Sequence, residues 1–242
     1  MPPRISHLTY YDYQVEARGI HSAADVQADA ANKAFVYDRL VLPKLPANRS
    51  ARIVELACGH GAFLAWAGMH GYKDLLGVDS SPAQVSAARA AGVNAEEADM
   101  SVWLAAQAPS SVAALVAIDL IEHLPKDDFM TLLAEASRVL VPGGSLILRY
   151  PNGDSPFVGL NLFNDITHVW TYTSNCVETL SRMHHFSSAR FADEGWRVAR
   201  DHRWLKLPLG RICESLLGSL VRMAAREKVT SFSPNAWAFL QR

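Results

Sequence analysis

The apolar residues of this chain follow two rhythms that alternate. After Arg52, short apolar runs are separated by longer segments whose apolar positions recur every three or four residues. The runs are "RIVELA", "DLLGVD", "VNAEEAD", "VAALVAID" and "SLILRYP", and each reads as a strand. "VAALVAID" is continuously apolar up to its acid, as a strand buried on both faces should be. Between the runs, "AFLAWAGMHG" predicts a helix closed by Gly71. "SSPAQVSAARAAG" places serine and proline at cap and first-turn positions and ends on Gly92. "DDFMTLLAEASRVLVPGG" is amphipathic, with Phe129, Leu132, Leu133, Ala136, Val139 and Leu140 on one side. Upstream, "ADVQADAANKAFVYDRLVLPKLP" sets Val26, Ala30, Phe35, Tyr37 and Leu40 among good helix formers, and Pro43 and Pro46 end that element. Downstream, "SARFADE" and "NAWAFLQ" read as two further strands.

Strands and helices alternating at this spacing predict an α/β fold with a doubly wound parallel sheet. Such sheets bind ligands at the carboxyl ends of their strands, near the point where strand order reverses. The chemistry should therefore lie at residues 57–61, Asp79, Asp99, Asp119 to His123, and from Pro151 onward.

Length and composition narrow the picture. The 242 residues suffice for one such domain with additions and a buried core. A net charge of −1 gives no reason to expect nonspecific nucleic-acid binding. Cys58, Cys176 and Cys213 are odd in number and lack metal-ligand spacing, so neither a disulfide framework nor a metal cluster is expected, and the cytoplasm is the natural compartment. The opening residues lack the apolar run of a secretory signal. No stretch approaches roughly 18 uninterrupted apolar residues, so no membrane span is expected.

At the first strand end, Gly59 and Gly61 let the backbone pass close to a ligand. A dinucleotide turn needs a third glycine where Leu64 stands, and a Walker loop needs Gly-Lys-Ser/Thr, which does not follow. Asp79 ends the second strand, with Ser80 beside it. A carboxylate there accepts bonds from both hydroxyls of a ribose; its alternative role is an acid at a helix N-terminus, where Ser80 or Ser81 supplies the cap. Asp99 suits an adenine amino group with Met100 over the ring, or is a solvated acid. Asp119, Glu122 and His123 emerge from a buried strand, where acids are rarely incidental.

The set "VELACGHG", "GVDSSP", "EEADM", "AIDLIEHLP" and "RVLVPGGSLILRYPN", over residues 50–152, resembles the class I S-adenosylmethionine-dependent methyltransferases. The resemblance implies a Rossmann-like, seven-stranded sheet, mostly parallel, with the last strand antiparallel between the fifth and sixth. It implies S-adenosylmethionine as cofactor, with Glu55, Ala57, Gly59 and Gly61 lining its methionine end. Asp79, with Ser80, would take the ribose, Asp99 and Met100 the adenine, and Asp119 would lie near the sulfonium and amino group. The family has glycine where this chain has Ala57, an exchange that fits if φ there is negative. Methyl transfer from an activated sulfonium needs alignment, exclusion of water and, for a hydroxyl, removal of a proton, so the expected enzyme is metal-independent.

The acceptor side is expected in residues 152–173, a stretch longer than a simple connection. Asn152, Asp154, Asn164, Asp165, His168, Trp170 and Tyr172 suit a hydroxylated small molecule or glycan. "SPFVGLNLFNDITHVWTYTSN" and "FSPNAWAFLQR" also resemble a bacterial methyltransferase subgroup linked to surface glycans. His168 is the first candidate for a general base and His123 the second. Their other readings are a loop-bracing hydrogen bond for His168 and a packing or cofactor-side residue for His123. Ser174 or Asn175 is expected to cap the next helix. Residues 1–49 form an N-terminal cap with Tyr10, Tyr11 and Tyr13 as a candidate lid. Residues 209–227 form a basic amphipathic helix with a stripe of Leu209, Ile212, Leu216, Leu220 and Met223, suited to packing on the domain, a second subunit or a peripheral membrane contact. Three readings remain open: O-methylation, or methylation of N or C; a nicotinamide oxidoreductase, which Leu64 opposes; and a non-catalytic cofactor-binding scaffold.

Overall fold

The computed structural model describes residues 22–194, 212, 215–220, 223 and 231–242. Helix α1 (Ala23–Val36) begins at Ser22, whose hydroxyl accepts the Asp25 N–H. It continues through a π-helical turn (Tyr37–Val41) and a 3-10 turn (Leu42–Lys44), and the chain becomes extended at Leu45, between the two prolines. The alternation then follows as β1 (Ile53–Leu56), α2 (Ala62–Met69), β2 (Leu75–Asp79), α3 (Pro82–Ala90), β3 (Ala95–Glu97), α4 (Met100–Ala106) and β4 (Val112–Ile118). A 3-10 turn (Ile121–His123) leads into α5 (Lys126–Val139), β5 (Leu140–Pro151), the single turn α6 (Gly159–Leu162), α7 (Ser174–Met183), β6 (Ser188–Asp193) and β7 (Asn235–Gln241).

The seven strands lie in the order β3-β2-β1-β4-β5-β7-β6. The pairs among β1 to β5 are parallel, and β7 runs antiparallel to both β5 and β6. This is the doubly wound, mostly parallel sheet that the alternation and the resemblance imply. The strand pleat sorts side chains onto two faces. Val54, Leu56, Leu115, Ala117, Leu146, Leu148 and Leu240 meet α4, α5 and α7 in one core. Ile53, Ala114, Val116, Ile147, Trp237 and Phe239 meet α1, α2 and α3 in the other. Two charged residues share the second face by the same period of two: Glu55 follows Ile53, and Arg149 follows Ile147.

Leu64 stands in α2 and packs onto β2. A Cβ placed on Gly77 of β2 would come within 2.8 Å of Leu64 Cδ1 and 2.5 Å of Cys58 Sγ. Close helix–strand approach, which a dinucleotide fold obtains from a glycine in the helix, is obtained here from a glycine in the strand.

Two local expectations change. Thr173, not Ser174 or Asn175, caps α7 by accepting the Cys176 N–H. Helix α5 stops at Val139 because Pro142 has no N–H to give and disfavours helical geometry at Val141. The chain instead enters β5 through an irregular register, with Leu140 opposite Val112 and Ser145 opposite Ala114.

Of the apolar stripe, Ile212, Leu216, Leu220 and Met223 are exposed, and Leu209 lies outside the described residues, as do Tyr10, Tyr11 and Tyr13. Among the described residues, no helix is long and apolar enough to cross a membrane.

Candidate functional site

A cavity of about 570 Å³ opens at the carboxyl ends of β1 and β4, where the strand order reverses. That volume suits a small organic ligand. One wall is built from the strand ends: Glu55 within β1 and Ala57 and Gly59 after it, Asp79 closing β2 and Ser80 after it, Asp99 and Met100 after β3, and Asp119 after β4. Gly61 does not line it. Its φ of +82° starts α2, and an added Cβ would meet Val93 Cγ1 at 3.0 Å, so a side chain there would crowd the turn.

Ala57 has a φ of +51°, against the expectation of a negative value. The chain must turn there to bring Gly59 back toward β2, where the Gly59 N–H donates to Asp79 Oδ2 at 2.8 Å. An L-residue in the left-handed region is strained. Ala57→Gly is accordingly expected to raise unfolding free energy by about 0.5–1 kcal/mol. A urea titration that gave no gain would mean the methyl group is tolerated without strain.

Asp79 braces the loop from both sides, because its Oδ1 also accepts the Ser81 N–H at 2.8 Å. Asp79 also lines the cavity. Ser81, not Ser80, caps α3 by accepting the Gln84 N–H. Asp99 caps α4, its Oδ1 accepting the N–H groups of Ser101 at 2.8 Å and Val102 at 3.1 Å. Glu55 is buried, and burial pushes its carboxyl well above the ordinary range, with Lys33 acting in opposition. Glu55 Oε2 and Gln84 Oε1 are buried acceptors without a hydrogen-bond partner, and both residues line the cavity. Orphaned acceptors are costly, and a ligand carrying amino and hydroxyl donors satisfies them.

Asp119 has a φ of +54°, and both its carboxylate oxygens are gripped by Arg149. Arg149 Nε also donates to Glu194 Oε1 at 2.6 Å, and the Trp237 indole N–H reaches the same oxygen at 3.4 Å. Burial disfavours the guanidinium charge, but the two carboxylates outweigh it and hold Arg149 firmly protonated.

The opposite wall comes from the 3-10 turn after β4 and from residues 161–168. The Glu122 carbonyl accepts the N–H groups of Val169 at 2.7 Å and Trp170 at 3.2 Å, which ties the loop to the turn. The His123 and His168 rings thereby meet edge to face, with centroids 4.6 Å apart. His168 Nδ1 lies 3.0 Å from the Leu162 carbonyl, and its Nε2 lies 4.0 Å from Glu122 Oε1. Thr167 Oγ1 donates to Asp165 Oδ1 at 2.6 Å, so at 2.9 Å it accepts from His123 Nδ1. Desolvation and the neighbouring His168 lower the His123 pKa to about 4, leaving it neutral at pH 7. Burial, helped by the charge on Asp119, pushes the Glu122 carboxyl well up.

Residues 53–144 match the family model of a methyltransferase domain. Over those residues the chain carries a methyltransferase domain. Its fold is shared by several solved structures. A SAM-dependent methyltransferase from Archaeoglobus fulgidus aligns over 96% of this chain and 100% of its own, with 15% identity and a TM-score of 0.68. Phosphoethanolamine N-methyltransferase 2 of Haemonchus contortus, in complex with phosphomonomethylethanolamine and S-adenosylhomocysteine, aligns over 100% of this chain and 60% of its own (14% identity, TM-score 0.60). Geranyl diphosphate C-methyltransferase of Streptomyces coelicolor A3(2), in complex with Mg2+, geranyl diphosphate and S-adenosyl-L-homocysteine, aligns over 90% and 82% (14% identity, TM-score 0.55). No curated protein matches this sequence significantly. The methyltransferase assignment sets the nicotinamide oxidoreductase aside.

The cavity brings together the strand-end residues Glu55, Ala57, Gly59, Asp79, Ser80, Asp99, Met100 and Asp119 named from sequence, but not Gly61, and both histidines line it as well. Of the seven loop residues expected to face an acceptor, Asn164, Asp165 and His168 do line the cavity. The other four have structural work. Asn152 holds Ser231 and Ser233, Asp154 accepts the Ser174 N–H, Trp170 lies under Lys126, and Tyr172 packs on Phe129. Sequence reasoning missed Lys33, Tyr37, Gln84, Arg149, Asn161 and Asn235, which also line the cavity. Only Arg149 carried a signal, as a charge inside an otherwise apolar strand.

Proposed function

We propose that this methyltransferase transfers its methyl group to a hydroxyl oxygen of a small, polar, glycan-like acceptor. The observation that carries this reading is the continuity of one cavity from the strand-end acids to the polar wall of Asn161, Asn164, Asp165, His168 and Asn235. S-adenosylmethionine supplies a methyl group on a sulfonium, so that an O–CH3 bond forms as the S–CH3 bond breaks and its electron pair stays on sulfur.

The chain's own residues do the rest. Glu55 and Gln84 offer their orphaned acceptors to the amino and hydroxyl donors of the cofactor. Asp79 with Ser80 receives the ribose, Asp99 and Met100 the adenine, and Ala57, Gly59 and Asp119 border the methionine end. Asn161, Asn164 and Asn235 supply both donors and acceptors, as a polyhydroxylated acceptor requires. A hydroxyl must also lose its proton. His168 donates its Nδ1–H to a carbonyl, so a neutral ring presents the Nε2 lone pair as the proton's destination. His123, held by Thr167, is its neighbour in that corner. The free thiols of Cys58 and Cys176 support the reducing cytoplasm as the place of action.

Calorimetric titration with S-adenosylhomocysteine, with NADH as the control, tests the cofactor site. Asp79→Ala is expected to weaken cofactor binding by about 1.5–3 kcal/mol, because charge-assisted bonds to the ribose are lost. An unchanged dissociation constant removes Asp79 from that role. Mass spectrometry of methylated products from glycan and small-molecule extracts tests the acceptor class; a product methylated on nitrogen or carbon overturns it.

A further inference from the structure

One ring nitrogen each from His123 and His168 and one carboxylate oxygen of Glu122 lie within 4.8 Å of one another. We propose that Glu122, His123 and His168 bind a divalent first-row transition-metal ion at the acceptor end of the cavity. The site deepens the methyl-transfer reading and rests on it for its purpose, though not for its existence.

Three features of the corner point to an ion. The first is the orientation of the rings. His168 Nδ1–H donates to the Leu162 carbonyl and His123 Nδ1–H donates to Thr167 Oγ1, whose own O–H donates to Asp165 Oδ1. With the hydrogen of each ring held on Nδ1, Nε2 is the atom left to bind an ion, and each ring is fixed by an outer acceptor in the manner of metal-bound histidines. The second is Glu122, whose side chain is 2% exposed and whose Oε2 has no hydrogen-bond partner. A buried carboxylate oxygen is costly to leave unsatisfied, and a cation satisfies it. The third is the donor set. Two imidazoles and one carboxylate suit zinc, manganese, iron or cobalt better than magnesium. Such ions bond these ligands at about 2.0–2.2 Å, so small side-chain shifts bring the three donors to the roughly 3–3.5 Å separations required. Three protein ligands leave positions open for an acceptor oxygen.

The sequence hides this site because its ligands follow no metal-binding spacing: His168 lies 45 residues beyond His123. The Glu122 carbonyl, by holding Val169 and Trp170, is what brings them together. A hydroxyl bound to the ion is acidified, and as the O–CH3 bond forms its proton leaves to solvent water. With the ion present, His168 Nε2 is a ligand and not the proton's destination, so the two roles of this corner can be told apart.

The test uses the untagged full chain stripped with EDTA and titrated with Co2+ by visible absorption and with Mn2+ and Zn2+ by calorimetry. One equivalent of Co2+ is expected to bind with the ligand-field spectrum of a nitrogen- and oxygen-ligated ion. Glu122→Gln and His168→Ala should each weaken binding by at least tenfold, and Thr167→Val, which loosens only the outer support, by about 10–100-fold. If His168→Ala melts early, His168→Gln with an unchanged melting temperature carries the comparison. Absence of saturable binding of all three ions, or Co2+ binding unaltered in both Glu122→Gln and His168→Ala, overturns the site. S-adenosylhomocysteine titrated into the same stripped protein reads the methyltransferase assignment separately. Cofactor binding without ion binding sinks the metal site alone, and ion binding without cofactor binding sinks the function alone.

Discussion

His168→Ala is expected to lower turnover by about 10²–10⁴-fold while leaving the dissociation constant of S-adenosylhomocysteine unchanged. The separation of the two effects follows from position. His168 stands on the acceptor wall with Asn164 and Asp165, whereas the cofactor residues stand at the strand ends. Its Nδ1–H is committed to the Leu162 carbonyl, so only Nε2 is presented to a reacting hydroxyl. Turnover is measured as S-adenosylhomocysteine release with the acceptor that product analysis identifies. The wild-type pH–rate profile, recorded with and without EDTA, distinguishes a base from a metal ligand. A base yields a profile that EDTA leaves in place and that His168→Ala flattens. Full activity of His168→Ala across the pH range removes the residue from the chemistry in either role.

Arg149→Leu should destabilise the fold by about 3–5 kcal/mol, the cost of stranding the buried Glu194 carboxylate without its cation, while the exposed Asp119 adds little. Arg149 sits between Asp119 and Glu194, and its side chain is only 17% exposed. In the wild type, burial pushes the Glu194 carboxyl up, but the Arg149 charge and the hydrogen bonds from Arg149, Asn235 and Trp237 hold it below its ordinary value of 4.5. A carboxyl lowered in the folded state contributes stability above its unfolded pKa, and that contribution is lost as pH falls through the folded value. In Arg149→Leu the sign reverses. Glu194 is then buried without a cation and takes up a proton on folding, so the variant gains stability as pH falls. The difference between the two proteins should therefore narrow on acidification from pH 7 toward pH 5. Urea titrations at several pH values check this. A difference below about 1 kcal/mol, or one independent of pH, would show that water and not Arg149 stabilises these acids. Arg149→Lys should recover part of the loss, because an ammonium keeps the charge but cannot fork between two carboxylates.

The order of strands and helices could be read from the chain because hydrophobic period is a local property. "VAALVAID" and "SLILRYP" look like buried strands whatever surrounds them, and the acids that close "DLLGVD", "VNAEEAD" and "VAALVAID" stand where those runs end. Asp79, Asp99, Asp119 and the glycine loop were legible for that reason, since a parallel sheet puts its strand ends on one edge. Backbone torsion was less so. The positive φ of Ala57 depends on where Asp79 holds the Gly59 N–H, and that contact spans 20 residues. Gly61 has the right spacing for a ligand loop, yet Val93 claims the space beside it.

By itself, then, the sequence determined the fold class and the sheet edge that carries the chemistry, which follow from spacing along one strand–turn–helix unit at a time, while the kind of cofactor was implied by the resemblance of five strand-end motifs taken together. Tertiary structure alone decided the partners. Arg149 reaches across from β5 to grip Asp119, Asp29 of α1 ties down His60 in the glycine loop at 2.8 Å, and the Glu122 carbonyl draws a distant loop in until His168 faces His123. Those contacts join segments that pattern cannot relate, because which side chains meet across a sheet edge is set by strand order and loop path rather than by the residues themselves.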